Sequence, residues 1–145
     1  MDIVAEHRKT YNFFYDITGV AMMVHGEYKP GLLETAYEAA LEYLLSLKGY
    51  SVEHQVMLPM YWKEIKLNRT YRMDLVVNKN IILELKAVTY VTKEQRQQLW
   101  NYMRLTKQPY GMLLNFGADS LYSEWYEFDT IMGEIKRIKP IDVKL

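Results

Sequence analysis

Apolar residues fall into helical, alternating and continuous patterns along this chain, and each pattern predicts an element. From Asp2 to about Glu27, Ile17, Val20, Ala21 and Val24 recur at helical spacing, which predicts a helix with a break near Gly19. Lys29-Pro30-Gly31 interrupts the chain and opens a second predicted helix, with proline in its first turn and Gly49 as its stop. At about 100° per residue, Leu33, Tyr37, Ala40, Leu41 and Leu44 make one apolar face. Glu34 lies on the border of that face, and Glu38 and Glu42 drift towards solvent.

From Ser51 to Trp62, Val52, His54, Val56 and Leu58 alternate with Glu53, Gln55 and Met57, predicting a strand with Pro59 at an edge or a bulge. Lys63 to Asn68 reads as a polar connection. The stretch 71–88 (YRMDLVVNKNIILELKAV) has two apolar runs around Asn78-Lys79-Asn80, the pattern of two strands joined by a tight turn. Thr92 is a predicted N-cap for a helix ending near Thr106, with Leu99, Met103 and Thr106 inside and Gln98 and Tyr102 together on its flank. Residues 110–116 (YGMLLNF) are continuously apolar, as in a buried strand. Leu121 to Phe128 and Glu134 to Ile138 predict further strands at a sheet edge. This order is α/β with a mixed central sheet, and residues 81–116 should form a right-handed strand–helix–strand crossover.

Composition narrows the classes of function. The 145 residues fit one domain, 1–145, with half of them apolar. Lys+Arg and Asp+Glu balance at 18 each, which argues against general adhesion to nucleic acid but leaves room for a local basic groove. Lys63, Lys66, Arg69 and Arg72 form one basic group, and Lys93, Arg96, Arg104 and Lys107 another. Each is either a phosphate track or a solvated face. Without cysteine, disulfides, thiol catalysis and thiolate zinc sites are excluded. No apolar run approaches the roughly 20 residues of a membrane span, and the N-terminus is too charged for a secretory signal. The expectation is a soluble, cytoplasmic protein.

Chemistry concentrates in the hairpin. A three-residue turn centred on Lys79 sets Val77 opposite Ile81 and Asp74 opposite Glu84, about 5 Å apart, with Lys86 on the same face. A two-residue turn shifts that register by one. Two close carboxylates repel, and a divalent cation such as Mg²⁺ relieves both repulsion and burial. The plainer alternative is a solvated sheet face on which Lys86 pairs with the acids.

Several elements taken together resemble the PD-(D/E)XK nuclease superfamily, and more closely the GxxExxY proteins of bacteria and archaea. They are Gly31-Leu32-Leu33-Glu34-Thr35-Ala36-Tyr37 preceded by Val24-His25, Asp74 with Glu84-Leu85-Lys86, Gln98 with Tyr102 as QxxxY, and Asn115-Phe116-Gly117. Met73 stands where some members have proline, and Gln95 where the family often has histidine.

The resemblance implies a restriction-endonuclease-like core that hydrolyses phosphodiesters with Mg²⁺ or Mn²⁺. Asp74, Glu84 and the Leu85 carbonyl would bind the ion, and Glu34 would add an acid from its helix. Lys86 would orient water or stabilise phosphate charge, with Gln98 and Tyr102 positioning it. The expected partner is nucleic acid, DNA ahead of RNA. Two other classes compete: a binding module that kept the fold without activity, and a structural subunit. For the latter, the aromatic segment 122–128 (YSEWYEF) offers either a homodimer interface or a sheet edge packed on its own domain.

Overall fold

The computed structural model describes residues 2–141. Three helices lead: α1 (Ile3–Thr10), α2 (Asn12–Tyr28) and α3 (Glu34–Leu47). Strands β1 (Val52–Trp62), β2 (Ile65–Val77) and β3 (Ile81–Lys86) follow, then helix α4 (Lys93–Thr106). Strands β4 (Tyr110–Asn115), β5 (Tyr122–Asp129) and β6 (Glu134–Ile138) complete the described chain. The six strands form one sheet in sequence order, with β3 and β4 parallel and every other neighbouring pair antiparallel. Helix α4 connects the parallel pair. This is the mixed, restriction-endonuclease-like α/β architecture, with an extra N-terminal helix and additional C-terminal strands.

The sheet is covered on both faces. One core lies under α2 and α3 and includes Phe14, Tyr37, Leu41, Leu75, Leu83 and Leu85; the other lies under α4 and includes Met73, Val76, Ile82, Leu99 and Met103. Double coverage explains why β3 and β4 read as unbroken apolar runs rather than alternating ones.

Local chemistry sets the boundaries. The break among the first residues falls at Tyr11 (φ −116°, ψ 30°), not near Gly19, which sits inside α2 with open space around it. Pro30 lies in a turn rather than in the first turn of α3. The helix starts only at Glu34, after Gly31 has taken φ +122°, a conformation that disfavours side chains. Thr92 caps α4 in a capping box with Gln95, so Gln95 has a helix-starting role at the position where histidine was the expected residue. The hairpin turn pairs Val77 with Ile81, Val76 with Ile82 and Leu75 with Leu83, the register of a three-residue turn. Asn78 and Lys79 both take left-handed backbone there (φ 52° and 58°).

Three strand expectations change. The polar connection shrinks to Lys63-Glu64, because β2 already begins at Ile65 and the ribbon continues outward. β5 lies inside the sheet between β4 and β6, with residues 125–127 paired on both sides, and β6 takes the edge. In β1, Val52 packs in the α2/α3 core while Val56 and Leu58 pack in the α4 core, so the four alternating residues do not share a face. The switch occurs at Gln55, whose left-handed φ of 50° rotates the strand as a bulge does. Pro59 does lie on an edge strand at a register shift.

Candidate active site

The site forms where β2 and β3 part. Their ladder ends at Leu75–Leu83, and beyond it the Asp74 carboxylate takes over as acceptor: the Leu85 backbone N–H donates to its Oδ2 at 2.8 Å. The Asp74 N–H in turn donates to Glu84 Oε1 at 3.3 Å. Asp74 and Glu84 therefore share one end of the fork, joined by backbone-to-side-chain hydrogen bonds beyond the last ladder pair. Glu84 is only 2% exposed. Burial drives its pKa well above the ordinary carboxylate range, the Asp74 charge adds to the rise, and Lys86 opposes it. Asp74 is raised as well, by burial first, against the lowering pull of the Leu85 N–H, Lys86 and the Gln55 side chain.

A directed hydrogen-bond chain approaches from α4. Lys86 Nζ donates to Gln98 Oε1 at 3.1 Å, and Gln98 Nε2 donates to the Tyr102 hydroxyl at 2.9 Å. Gln98 uses both ends of its amide, which fixes the orientation of the lysine. Burial, followed by the nearby Glu84 charge, raises the Tyr102 pKa. A groove of about 630 Å³ runs along α4 and is bordered by Tyr71, Gln98 and Tyr102.

Helix α3 brings acid from the other side. Glu34 occupies its first turn, exposed as a residue. Partial desolvation raises its carboxyl pKa, Lys86 lowers it, and Asp74 adds to the rise. The motif around it is a positioning device. The Tyr37 hydroxyl donates to the Lys29 carbonyl at 2.5 Å and accepts the Leu32 N–H at 3.1 Å, while its ring stacks on Phe116 at 4.6 Å. The turn carrying Gly31 is thereby tied down immediately before Glu34. His25 Nε2 lies 2.8 Å from the Ala118 carbonyl, a structural contact. Asn115 accepts from the Val88 and Gly117 N–H groups and donates to the Val88 carbonyl, clamping the β3–α4 link against the end of β4. A side chain at Gly117 would meet the Val88 backbone at 2.3 Å.

Sequence reasoning missed two residues here. Glu38 faces inward, not to solvent: it is 7% exposed, and both its oxygens accept from Gln55 Nε2, at 2.8 and 2.9 Å. Its carboxyl pKa is raised by burial, with Gln55 opposing and the Asp74 charge adding. The available signal was the spacing of Glu38 one turn after Glu34. Nothing in the local sequence marked Gln55. One basic residue also changes role. Arg96 holds the buried Glu124 through Nε and Nη2 at 2.7–2.9 Å, with Tyr122 and Tyr126 hydroxyls donating to the same carboxylate. It is committed to that pair rather than to a phosphate track.

Residues 11–128 match the family profile of the PD-(D/E)XK nuclease superfamily. The match covers most of the chain, and the protein belongs to that superfamily. Comparison with curated proteins and with solved structures gave no match. Members of the superfamily generally use divalent metals and act on nucleic acid. No helix among the described residues is long and apolar enough to cross a membrane. Among the described residues, no three acidic or imidazole side chains converge as a ready-made metal cluster. The donor set on offer is two carboxylates and backbone oxygen. Hard oxygen donors carrying desolvated, mutually repelling charge fit a small divalent cation.

Proposed function

We propose that the 145 residues form one nuclease-like domain, cytoplasmic, that hydrolyses phosphodiester bonds of nucleic acid with Mg²⁺ or Mn²⁺. Asp74, Glu84 and the Leu85 carbonyl would hold the ion. The single observation that carries this reading is Glu84, almost fully buried beside a second carboxylate with Lys86 as the cation that offsets both. Such a charge arrangement is unfavourable in the protein alone and is what a metal-binding site requires. The spacing of Gly31, Glu34 and Tyr37 supports placing the chain with the GxxExxY proteins.

A bound divalent ion supplies Lewis acidity to the phosphoryl group and lowers the pKa of water. The chain's own residues do the rest. Lys86, fixed by Gln98, presents a positive charge to the phosphate without reorganisation during reaction. Tyr102 holds Gln98 in register for that task. Glu34, exposed and near enough to Lys86 and Asp74 to feel both charges, would supply a further acid to the site.

The test is incubation of wild type, Lys86→Ala and Tyr102→Phe with single-stranded, duplex and branched DNA and RNA, in Mg²⁺, Mn²⁺ or EDTA. Wild type should cut only with metal. Lys86→Ala should lose on the order of 10²- to 10³-fold, and Tyr102→Phe up to about 10-fold, the worth of the one hydrogen bond that positions Gln98. Cutting that survives EDTA or Lys86→Ala overturns the assignment, and binding without cleavage in either metal makes the protein a binding module.

A further inference from the structure

We infer that the outer half of the β1–β2 hairpin is an arm that enters the major groove of duplex DNA and leads one strand to the Asp74–Glu84 fork. This rests on the nuclease reading and adds to it the form of nucleic acid and the surface that grips it.

The arm stands clear of the body. Residues 61–70 are all exposed, although they remain paired as a two-stranded ribbon through Tyr61–Lys66 and Trp62–Ile65. Trp62 is 67% exposed and Ile65 64%. Tyr61, Trp62 and Ile65 together leave an apolar tip open to a partner.

The charge of the arm says what kind. The whole chain is neutral, yet between Tyr61 and Arg72 stand Lys63, Lys66, Arg69 and Arg72 against Glu64 alone. None of these four cations forms an ion pair among the described residues. Arg69 lies over the ring of Tyr71, which packs on the α4 side of the sheet, whereas Arg72, the next residue along the strand from Tyr71, points to the opposite face. A ribbon lying flat along a single strand would need its cations on one face. Cations on both faces suit a groove with phosphates on either wall.

The B-form major groove admits a two-stranded ribbon, whereas the A-form RNA groove is too deep and narrow for side chains to read. Continuity completes the case. Arg72 lies two residues from Asp74 on the same strand, and Tyr71, at the root of the arm, borders the groove that Gln98 and Tyr102 also line. A backbone gripped by the arm is delivered to the fork.

The experiment measures binding by fluorescence anisotropy to a 30-base-pair DNA duplex, the matching duplex RNA and the single strand, in EDTA so that cleavage does not intervene. Wild type is compared with the triple variant Lys63→Ala/Lys66→Ala/Arg69→Ala and with Trp62→Ala. The triple variant alters only exposed residues and should melt with wild type. Its duplex-DNA affinity should fall at least 10-fold, and its log–log salt dependence should flatten by about 3. An unchanged affinity or slope overturns the arm. Equal or tighter arm-dependent binding to single strand or duplex RNA overturns the groove assignment. Self-association abolished by Trp62→Ala, at unchanged DNA affinity, would make the tip a contact between copies and also overturn it. Failure of the arm leaves metal-dependent cutting by wild type intact, whereas failure of the nuclease reading shows as no cutting of any nucleic acid in Mg²⁺ or Mn²⁺.

Discussion

Gln55 and Asp74 fall in the gap between the His54–Leu75 and Val56–Met73 pairs, and both strands change the face they present there. On one side Val52, Leu75 and Val77 pack under α2 and α3; on the other Val56, Leu58, Tyr71 and Met73 pack under α4. Left-handed backbone at a residue other than glycine is strained by roughly 1 kcal/mol. Here the strain turns the Gln55 amide towards Glu38 and Asp74, two carboxylates of the site.

Separating backbone from side chain at this position gives a sharp expectation. Gln55→Gly relieves the strain but, like Gln55→Ala, leaves Glu38 buried without its donor, a loss of about 1–3 kcal/mol. Urea unfolding should therefore find Gln55→Ala the less stable of the two. Both should bind Mn²⁺ several-fold more weakly than wild type by calorimetry at neutral pH, because Asp74 loses a group that favours its ionised form. Wild-type Mn²⁺ affinity in both variants would show that Gln55 serves only the strand.

Which parts were legible follows from where the information resides. The hairpin register was readable because Asn78, Lys79 and Asn80 lie between two apolar runs, so turn length alone fixes which residues face each other. Thr92 and Gln95 announce α4 through adjacent backbone groups. Glu38 was misplaced because a helical wheel measures angle from the apolar face, while burial at Glu38 is imposed by the rotated β1 strand across from it. Residues 122–128 read as an edge because β6 is a weak pattern on its own and becomes a strand by pairing with β5. Arg96 and Glu124 are 28 residues apart, and no local rule joins them.

That ion pair predicts how the fold responds to acid. Hydrogen bonds from Arg96, Tyr122 and Tyr126 outweigh burial and hold the Glu124 pKa down at about 2. The unfolded chain takes up a proton at Glu124 more readily than the folded one, so stability is present above the ordinary carboxylate range and is lost as pH falls towards about 2. Glu124→Gln should destabilise by about 2–3 kcal/mol at pH 7, near or below the low end for a buried pair because Arg96 keeps some contact with water. The gap between variant and wild type should narrow below the ordinary carboxylate range and close only as pH reaches about 2. A gap independent of pH would assign the loss to packing instead of charge.

Glu84 makes the opposite prediction. Its folded-state pKa lies above its unfolded one, so the folded chain holds this proton to higher pH, and stability falls as pH rises from the ordinary carboxylate range towards the raised value. Metal-free Glu84→Gln removes a buried charge that Lys86 only partly offsets. It should be more stable than metal-free wild type at pH 8, by roughly 1 kcal/mol, as for other substitutions that relieve a functional site. The advantage should shrink to nothing near pH 4, where both side chains are neutral. Adding Mg²⁺ or Mn²⁺ should reverse the order, raising the melting temperature of wild type and leaving the variant nearly unmoved. Thermal melts across pH, with and without metal, read both effects at once. Equal responses of the two proteins to metal would remove Glu84 from the ion's ligands, whatever the pH dependence showed.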